Sequence, residues 1–244
     1  MKTCLFVGPT LSGETIASGI QRFGPVAMGS VFRAVEAGYL RIGIVDGYFG
    51  NVPSVWHKEI LFALSLGVEV SGAASLGALR AAELYPFGMV GIGCIYRLFR
   101  RGIWTDDDEV AIIHAPDRMA FQPLSLAMAN IRFTLRRLQR LRVLDETLAK
   151  ALAQHMKNLH FSERSSDQLR QHAASLVGHA DAEQLAHAFA REYVDLKMVD
   201  ARTLVRWLVQ ERPPSRTQRE WQFPATGHWK MQFDYENADV PRLE

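Results

Sequence analysis

Cysteine is nearly absent from this chain: Cys4 and Cys94 are its only two. Two thiols build neither a disulfide framework nor a four-thiolate zinc site, and such sparing use suits a reducing compartment. Long apolar runs are missing as well. No stretch approaches the ~20 uninterrupted apolar residues of a membrane span. The apolar run at residues 4–7 stops at Gly8 and Pro9, too early for a secretory signal. Nor is charge of one sign in excess: the net value is +2, so composition predicts neither a nucleic acid nor a membrane surface as partner. Repeats and low-complexity blocks are absent. What remains is an ordinary globular composition, 48% hydrophobic and 22% charged. The expectation is a cytoplasmic protein with one large domain, or one domain and a smaller helical piece.

The first half alternates short apolar runs with helical patterns. Residues 4–7, 41–45 and 68–70 read as buried strands, and 29–38, 53–67 and 76–84 as helices. That alternation predicts an α/β fold, an open parallel sheet with helices on both faces. After Pro86 the pattern loosens into a glycine-punctuated stretch. An acidic run at 106–109 follows, then VAIIH (110–114), which reads as a further strand. From Pro123 the chain turns helical. Met128, Ile131, Leu135 and Leu138 line one side of a helix, and Arg132, Arg136 and Arg140 another. Later helices are expected to start at Asp145, at Ser165 or Ser166, at Asp181 for a long one reaching Leu196, and at Asp200. The expected division is an α/β core (1–122), a helical region (123–212) and an irregular tail (213–244) whose aromatics, Trp221, Phe223, Trp229, Phe233 and Tyr235, follow no period. Such a tail is expected to be flexible or ordered by a partner.

Open parallel sheets bind ligands beyond the carboxyl ends of their strands. Three turns fall there, at residues 8–10, 46–48 and 74–76. The segment AASLG (73–77) resembles a nucleophile elbow with alanine in its first glycine position. Ser75 there suits either a nucleophile or a helix N-cap, and spacing leaves both open. The N–H groups of Leu76 and Gly77 fit an oxyanion site at the positive end of a helix. His57, in the first turn of its helix, suits a general base, and Asp46 suits its orienting acid. Gly8 and Thr10 lie on the same edge as anion-binding candidates. Arg80, three residues before Glu83, suits an anion contact or an ion pair. Lys58 and Glu59 flank His57. Asp107 and Asp108 lack the spacing of an oxygen-ligand cation loop, so no metal is expected. In an extended 108–114, Asp108 and His114 share a face as a second acid–imidazole pair.

Six blocks then point one way: VGPTL (7–11), IVDGYF (44–49), VWHKEIL (55–61), GAASLGALRAAEL (72–84), FGMVGIG (87–93) and DDDEVAIIH (106–114). In order and spacing they resemble the signature of the TfuA-like family, named for a trifolitoxin biosynthesis protein, over roughly residues 3–135. The resemblance implies an accessory role beside a YcaO enzyme, which uses ATP and Mg to activate a peptide backbone amide for thioamidation in natural-product (RiPP) biosynthesis. It implies hydrolysis of the C-terminal thiocarboxylate of a ubiquitin-like sulfur carrier protein, releasing sulfide, and tighter YcaO engagement of the precursor peptide. No cofactor is implied on this chain. The alternative function is a non-catalytic scaffold that recruits YcaO, carrier or peptide. Cys94 stands where relatives are expected to carry a basic residue, and the helices after residue 135 match no block.

Overall fold

The computed structural model describes residues 1–48, 50, 52–210 and 221–233. Its centre follows from side-chain alternation. In β1 (Thr3–Phe6), Cys4 and Phe6 enter the core on one face and Leu5 on the other, so the strand needs cover on both sides. It pairs with β2 (Ile20–Phe23) and β3 (Arg41–Ile44). Then β4 (Glu69–Ala73) and β5 (Val90–Ile92) extend the sheet in the all-parallel order β2-β1-β3-β4-β5. In that order the topological switch point lies between the carboxyl ends of β1 and β3. The α/β expectation therefore holds, and β2 and β5 are additions to it. Both are short edge strands without fully buried residues, so their own hydrophobicity does not announce them.

Helices α1 (Ser30–Glu36), α2 (His57–Ser65) and α3 (Leu76–Leu84) return the chain between strands. The glycine-punctuated stretch holds α4 (Gly93–Arg100), which buries Ile95 and Phe99 and exposes Arg97 and Arg100. Residues 110–114 do not form the expected strand. Asp107–Glu109 is a single 3₁₀ turn, and the sole pairing nearby is an isolated antiparallel bridge from His114 to Pro123.

The helical region contains α5 (Met128–Arg140), α6 (Glu146–Asn158), α7 (Ser166–Val177) and α8 (His179–Arg191), packed around Met128, Leu135, Leu152, Leu169 and Phe189. Asp145 and Ser165 cap as expected. Two start signals behave differently. The long helix starts after Gly178, with Asp181 inside its first turn, and stops at Arg191; α9 (Leu196–Val209) begins with Asp195 as cap, its carboxylate accepting the Met198 N–H at 2.9 Å. Asp200 lies inside α9, buried, and accepts the N–H groups of Cys94 and Ile95 at 2.8 and 2.7 Å, capping α4 instead. Because α9 lays Ala201, Leu204 and Leu208 against Leu5, Val7 and Val45, the far end of the chain covers one face of the sheet. At Gly43 a Cβ would meet Leu208 at 2.6 Å, so the glycine permits that approach. Among the described residues no helix is long and apolar enough to cross a membrane.

The described part of the tail is ordered, contrary to its aperiodic sequence. Trp229, in α10 (Gly227–Gln232), is fully buried among Phe32, Phe62 and Phe233, with Phe223 packed alongside. Lys58 clasps it, donating to Thr226 Oγ1 at 2.6 Å and to the Pro224 carbonyl at 3.3 Å. An aromatic knot needs no period, since each ring comes from a different turn. Pro213, Pro214 and Tyr235 lie outside the described residues. Replacing a buried tryptophan by alanine costs about 3–5 kcal/mol. Urea unfolding of Trp229→Ala should show a loss of that order, and an unchanged midpoint would make the tail dispensable.

Candidate functional site

The switch point is stitched by one carboxylate. Asp46, 1% exposed at the end of β3, accepts the Gly8 and Thr10 N–H groups, each at 2.9 Å, and the Thr10 hydroxyl at 2.5 Å. This joins the loops after β1 and β3 and brings together three of the expected site residues. A Cβ on Gly8 would collide with Pro25 at 2.5 Å, which explains the glycine.

Ser75 stands beyond β4. Its N–H bonds the Ala73 carbonyl at 2.8 Å, closing a three-residue turn over Ala74 at φ 65°. Positive φ is uncommon away from glycine, and backbone strain of this kind, about 1–3 kcal/mol, collects at functional sites. Tight packing supports the turn: a Cβ on Gly77 would sit 1.8 Å from the Ile44 carbonyl oxygen, and one on Gly72 2.0 Å from that of Gly77. Ser75 holds the N-cap position, yet its side chain makes no capping bond. Its Oγ instead donates to the Val110 carbonyl at 3.4 Å. The Gly77 N–H is committed to Val45 O at 3.1 Å, so Gly77 drops out as an oxyanion donor. Leu76 stays at the first helical position, where no intrahelical acceptor exists.

A residue the sequence reading overlooked completes the centre. Lys197, in the first turn of α9, is 3% exposed, and its Nζ donates to the same Val110 carbonyl at 2.9 Å. Asp46 Oδ1 is 4.0 Å away. Burial drives the Lys197 amine below its ordinary value of 10.5, and the charges of Asp46 and Asp195 only partly oppose it. A hydroxyl and an amine thus converge on one carbonyl oxygen beside a carboxylate, the parts of a nucleophile activated by a desolvated lysine.

His57 is not part of that group. Its ring is half exposed and donates from Nε2 to Glu83 Oε2 at 2.7 Å, while Arg80 donates to the same oxygen at 2.8 Å. Burial acts against the Glu83 carboxylate, but these two hydrogen bonds outweigh it and hold its pKa below the ordinary value. Among the described residues no hydrogen bond links His57 to Ser75 or Asp46, so the expected triad is not assembled. Glu59 is structural: fully buried, it accepts the Trp56 N–H at 3.1 Å and the Phe32 N–H at 3.4 Å, and burial raises its pKa. Asp108 and His114 do not pair either. Asp108 bonds Lys157 and the buried Arg164, whereas His114 donates to the Ala115 carbonyl at 2.8 Å and rests against Tyr48 and Phe121. Asp107 is exposed on the 3₁₀ turn. Among the described residues no three His, Cys, Asp or Glu side chains are grouped to hold a metal.

The family described as TfuA-like protein matches residues 46–165. That span contains Asp46 and Ser75, and Lys197 lies beyond it. No curated protein matches the chain.

The buried amine sets a pH signature. Between the depressed pKa of Lys197 and 10.5, the unfolded chain binds a proton that the folded one does not, so stability rises with pH across that window. Urea titrations from neutral pH to about 10 should show this rise in the wild type and a flatter profile in Lys197→Met. Identical slopes would mean the amine keeps its proton in the fold.

Proposed function

From the chain's membership of the TfuA-like family, which suggests an accessory role in thioamidation, we propose a hydrolase that releases sulfide from the C-terminal thiocarboxylate of a ubiquitin-like sulfur carrier for a YcaO partner. The observation that carries the reading is the convergence of Ser75 Oγ and the Lys197 amine on the Val110 carbonyl, next to Asp46. Neutral Lys197 takes the Ser75 proton as Oγ attacks the thiocarboxylate carbon. The tetrahedral oxyanion forms beside the Leu76 N–H at the start of α3. Collapse breaks the C–S bond, the Lys197 ammonium returns its proton to the departing sulfide, and carrier and Ser75 are left joined by an ester. Lys197 then deprotonates a water that attacks the ester carbon, and its ammonium returns the proton to Ser75 Oγ as the C–O bond breaks, giving carrier carboxylate and free Ser75. Asp46 faces the ammonium each time it forms. The sum is thiocarboxylate plus water to carboxylate plus sulfide, and no cofactor enters.

Intact-mass spectrometry of a thiocarboxylated carrier incubated with this protein tests the reading. Wild type should convert it to carboxylate, and Ser75→Ala should not. Loss of a general base typically costs 10²–10⁴-fold, so Lys197→Met should slow conversion by roughly that factor. Lys197→Arg, which keeps the charge but cannot give up its proton, should be equally slow. The wild-type rate should climb as pH rises through the depressed Lys197 pKa, and His57→Ala should stay active. Failure of the wild type to consume thiocarboxylate would leave the scaffold role.

A further inference from the structure

Two openings flank the reaction centre, and their chemistry differs. One, of about 640 Å³, is lined by Leu76 and by the acids Glu83, Asp106, Asp107 and Asp108 against the cations Arg80 and Lys157. Four acids against two cations repel an anionic chain end. The other, of about 390 Å³, lies between the loop after β1 and the start of the helical region. Pro9, Thr10, Ser125, Ala127 and Ser166 line it, with Leu124 and, from the catalytic group, Lys197. Asp195 is its one acid, against the four of the first opening, so the cavity opposes an anion less. Its volume falls within the ~300–1,000 Å³ of ligand sites.

Small side chains, Thr10, Ser125, Ala127 and Ser166, alternate in its lining with the apolar Ile112 and Leu126, and its volume of about 390 Å³ takes a short extended chain end and not a folded domain. Thr10 holds Asp46, and Lys197 shares its acceptor with Ser75. A terminal acyl group reaching the inner end therefore meets Lys197, the proposed base. The outer lip is apolar. Leu124 is 57% exposed and Ile113 38%, and they are held side by side by the Leu124 N–H bonding the Ile113 carbonyl at 2.9 Å. Exposed apolar residues rimming a slot mark a surface for a folded partner.

We infer that this cavity is the channel for the carrier's C-terminal segment, an extended chain end entering with its thiocarboxylate toward Lys197 while the carrier's folded body rests on Leu124 and Ile113. The inference deepens the hydrolase reading and rests on it for the identity of the occupant. Leu124→Asp places a negative charge on the exposed lip, and Ser166→Trp narrows the slot from an exposed position. Each is to be compared with wild type on two substrates, the thiocarboxylated carrier and thioacetate, a thiocarboxylate small enough to need no channel. The ratio of kcat/KM for carrier to that for thioacetate should fall at least tenfold in both variants, through KM for the carrier. An unchanged ratio would overturn the channel. Should wild type hydrolyse neither compound, the hydrolase reading fails by itself. The channel is then judged by calorimetric binding of the carrier in its carboxylate form: affinity weakened at least tenfold in both variants upholds it, and equal affinity, or no binding to wild type, overturns it.

Discussion

A lysine amine taken out of water at the carboxyl edge of the sheet is the constraint around which the centre is arranged. Transferring an ammonium into a protein interior costs several kcal/mol, and the fold answers with polar partners on each side. The Val110 carbonyl accepts a hydrogen bond from Lys197, and Asp46 supplies the opposite charge at 4.0 Å. Asn130 fixes the backbone at that point: its Oδ1 accepts the Lys197 N–H at 3.2 Å, and its Nδ2 donates to Tyr193 and to the capping Asp195, both at 3.0 Å. Asp46 in turn ties the loops after β1 and β3. One desolvated amine thereby links the sheet edge, the helical region and the end of the chain.

The acidic run gains a purpose from this arrangement. Residues 106–109 lack the spacing of a cation loop, yet they clasp the segment that presents the Val110 carbonyl. Lys157 reaches Asp106, Asp108 and Glu109, Arg132 grips Glu109 in a fork at 2.9 Å twice over, and buried Arg164 holds Asp108 by side chain and carbonyl. Burial acts against both charges, but hydrogen bonds from Lys157 and Arg164 hold the Asp108 carboxyl below its ordinary value, and those to Asp108 and Asp106 hold the Lys157 amine above its own. A planar guanidinium gripping a carboxylate at two points fixes orientation as well as distance. Helices α5 and α6 thus position an acceptor for a serine and a lysine that belong to neither.

Local periodicity made β1, β3, β4, α2 and α3 legible, because each carries its own apolar pattern and a glycine at its end. The loops at residues 8–10, 46–48 and 74–76 were legible for the same reason, and with them Asp46 and Ser75. In α4 the glycines misled: Gly93, at φ 97°, leaves room for the Asp200 carboxylate, which a Cβ would meet at 2.2 Å, and so marks a helix start rather than a loop. His57 had the right chemistry in the right turn, but its partner was decided by Glu83 across the packing of α2 and α3, which no spacing within either helix encodes. Lys197 was hidden by a misplaced boundary. Once Asp195 is the cap, Lys197, Ala201, Leu204 and Leu208 fall at successive steps of four, three and four along one buried face. A lysine at a core position of an amphipathic helix was the available signal.

The chemistry proposed for that lysine fits the substrate better than the expected imidazole pair. A thiocarboxylate is an anion, and attack on it adds negative charge beside negative charge. The obstacle is therefore the charge built in the tetrahedral intermediate more than the departure of sulfide, a weaker base than the amine expelled in peptide cleavage. An amine whose pKa is depressed by burial removes the serine proton and becomes a cation at that moment, in a site dry enough for the new charge to act strongly. A base on the half-exposed His57 would form its cation in contact with water and already opposed by Glu83. Burial of Lys197 moves its pKa in the direction a general base needs and shields the charge it then carries, so the desolvation that strains the fold also serves the reaction.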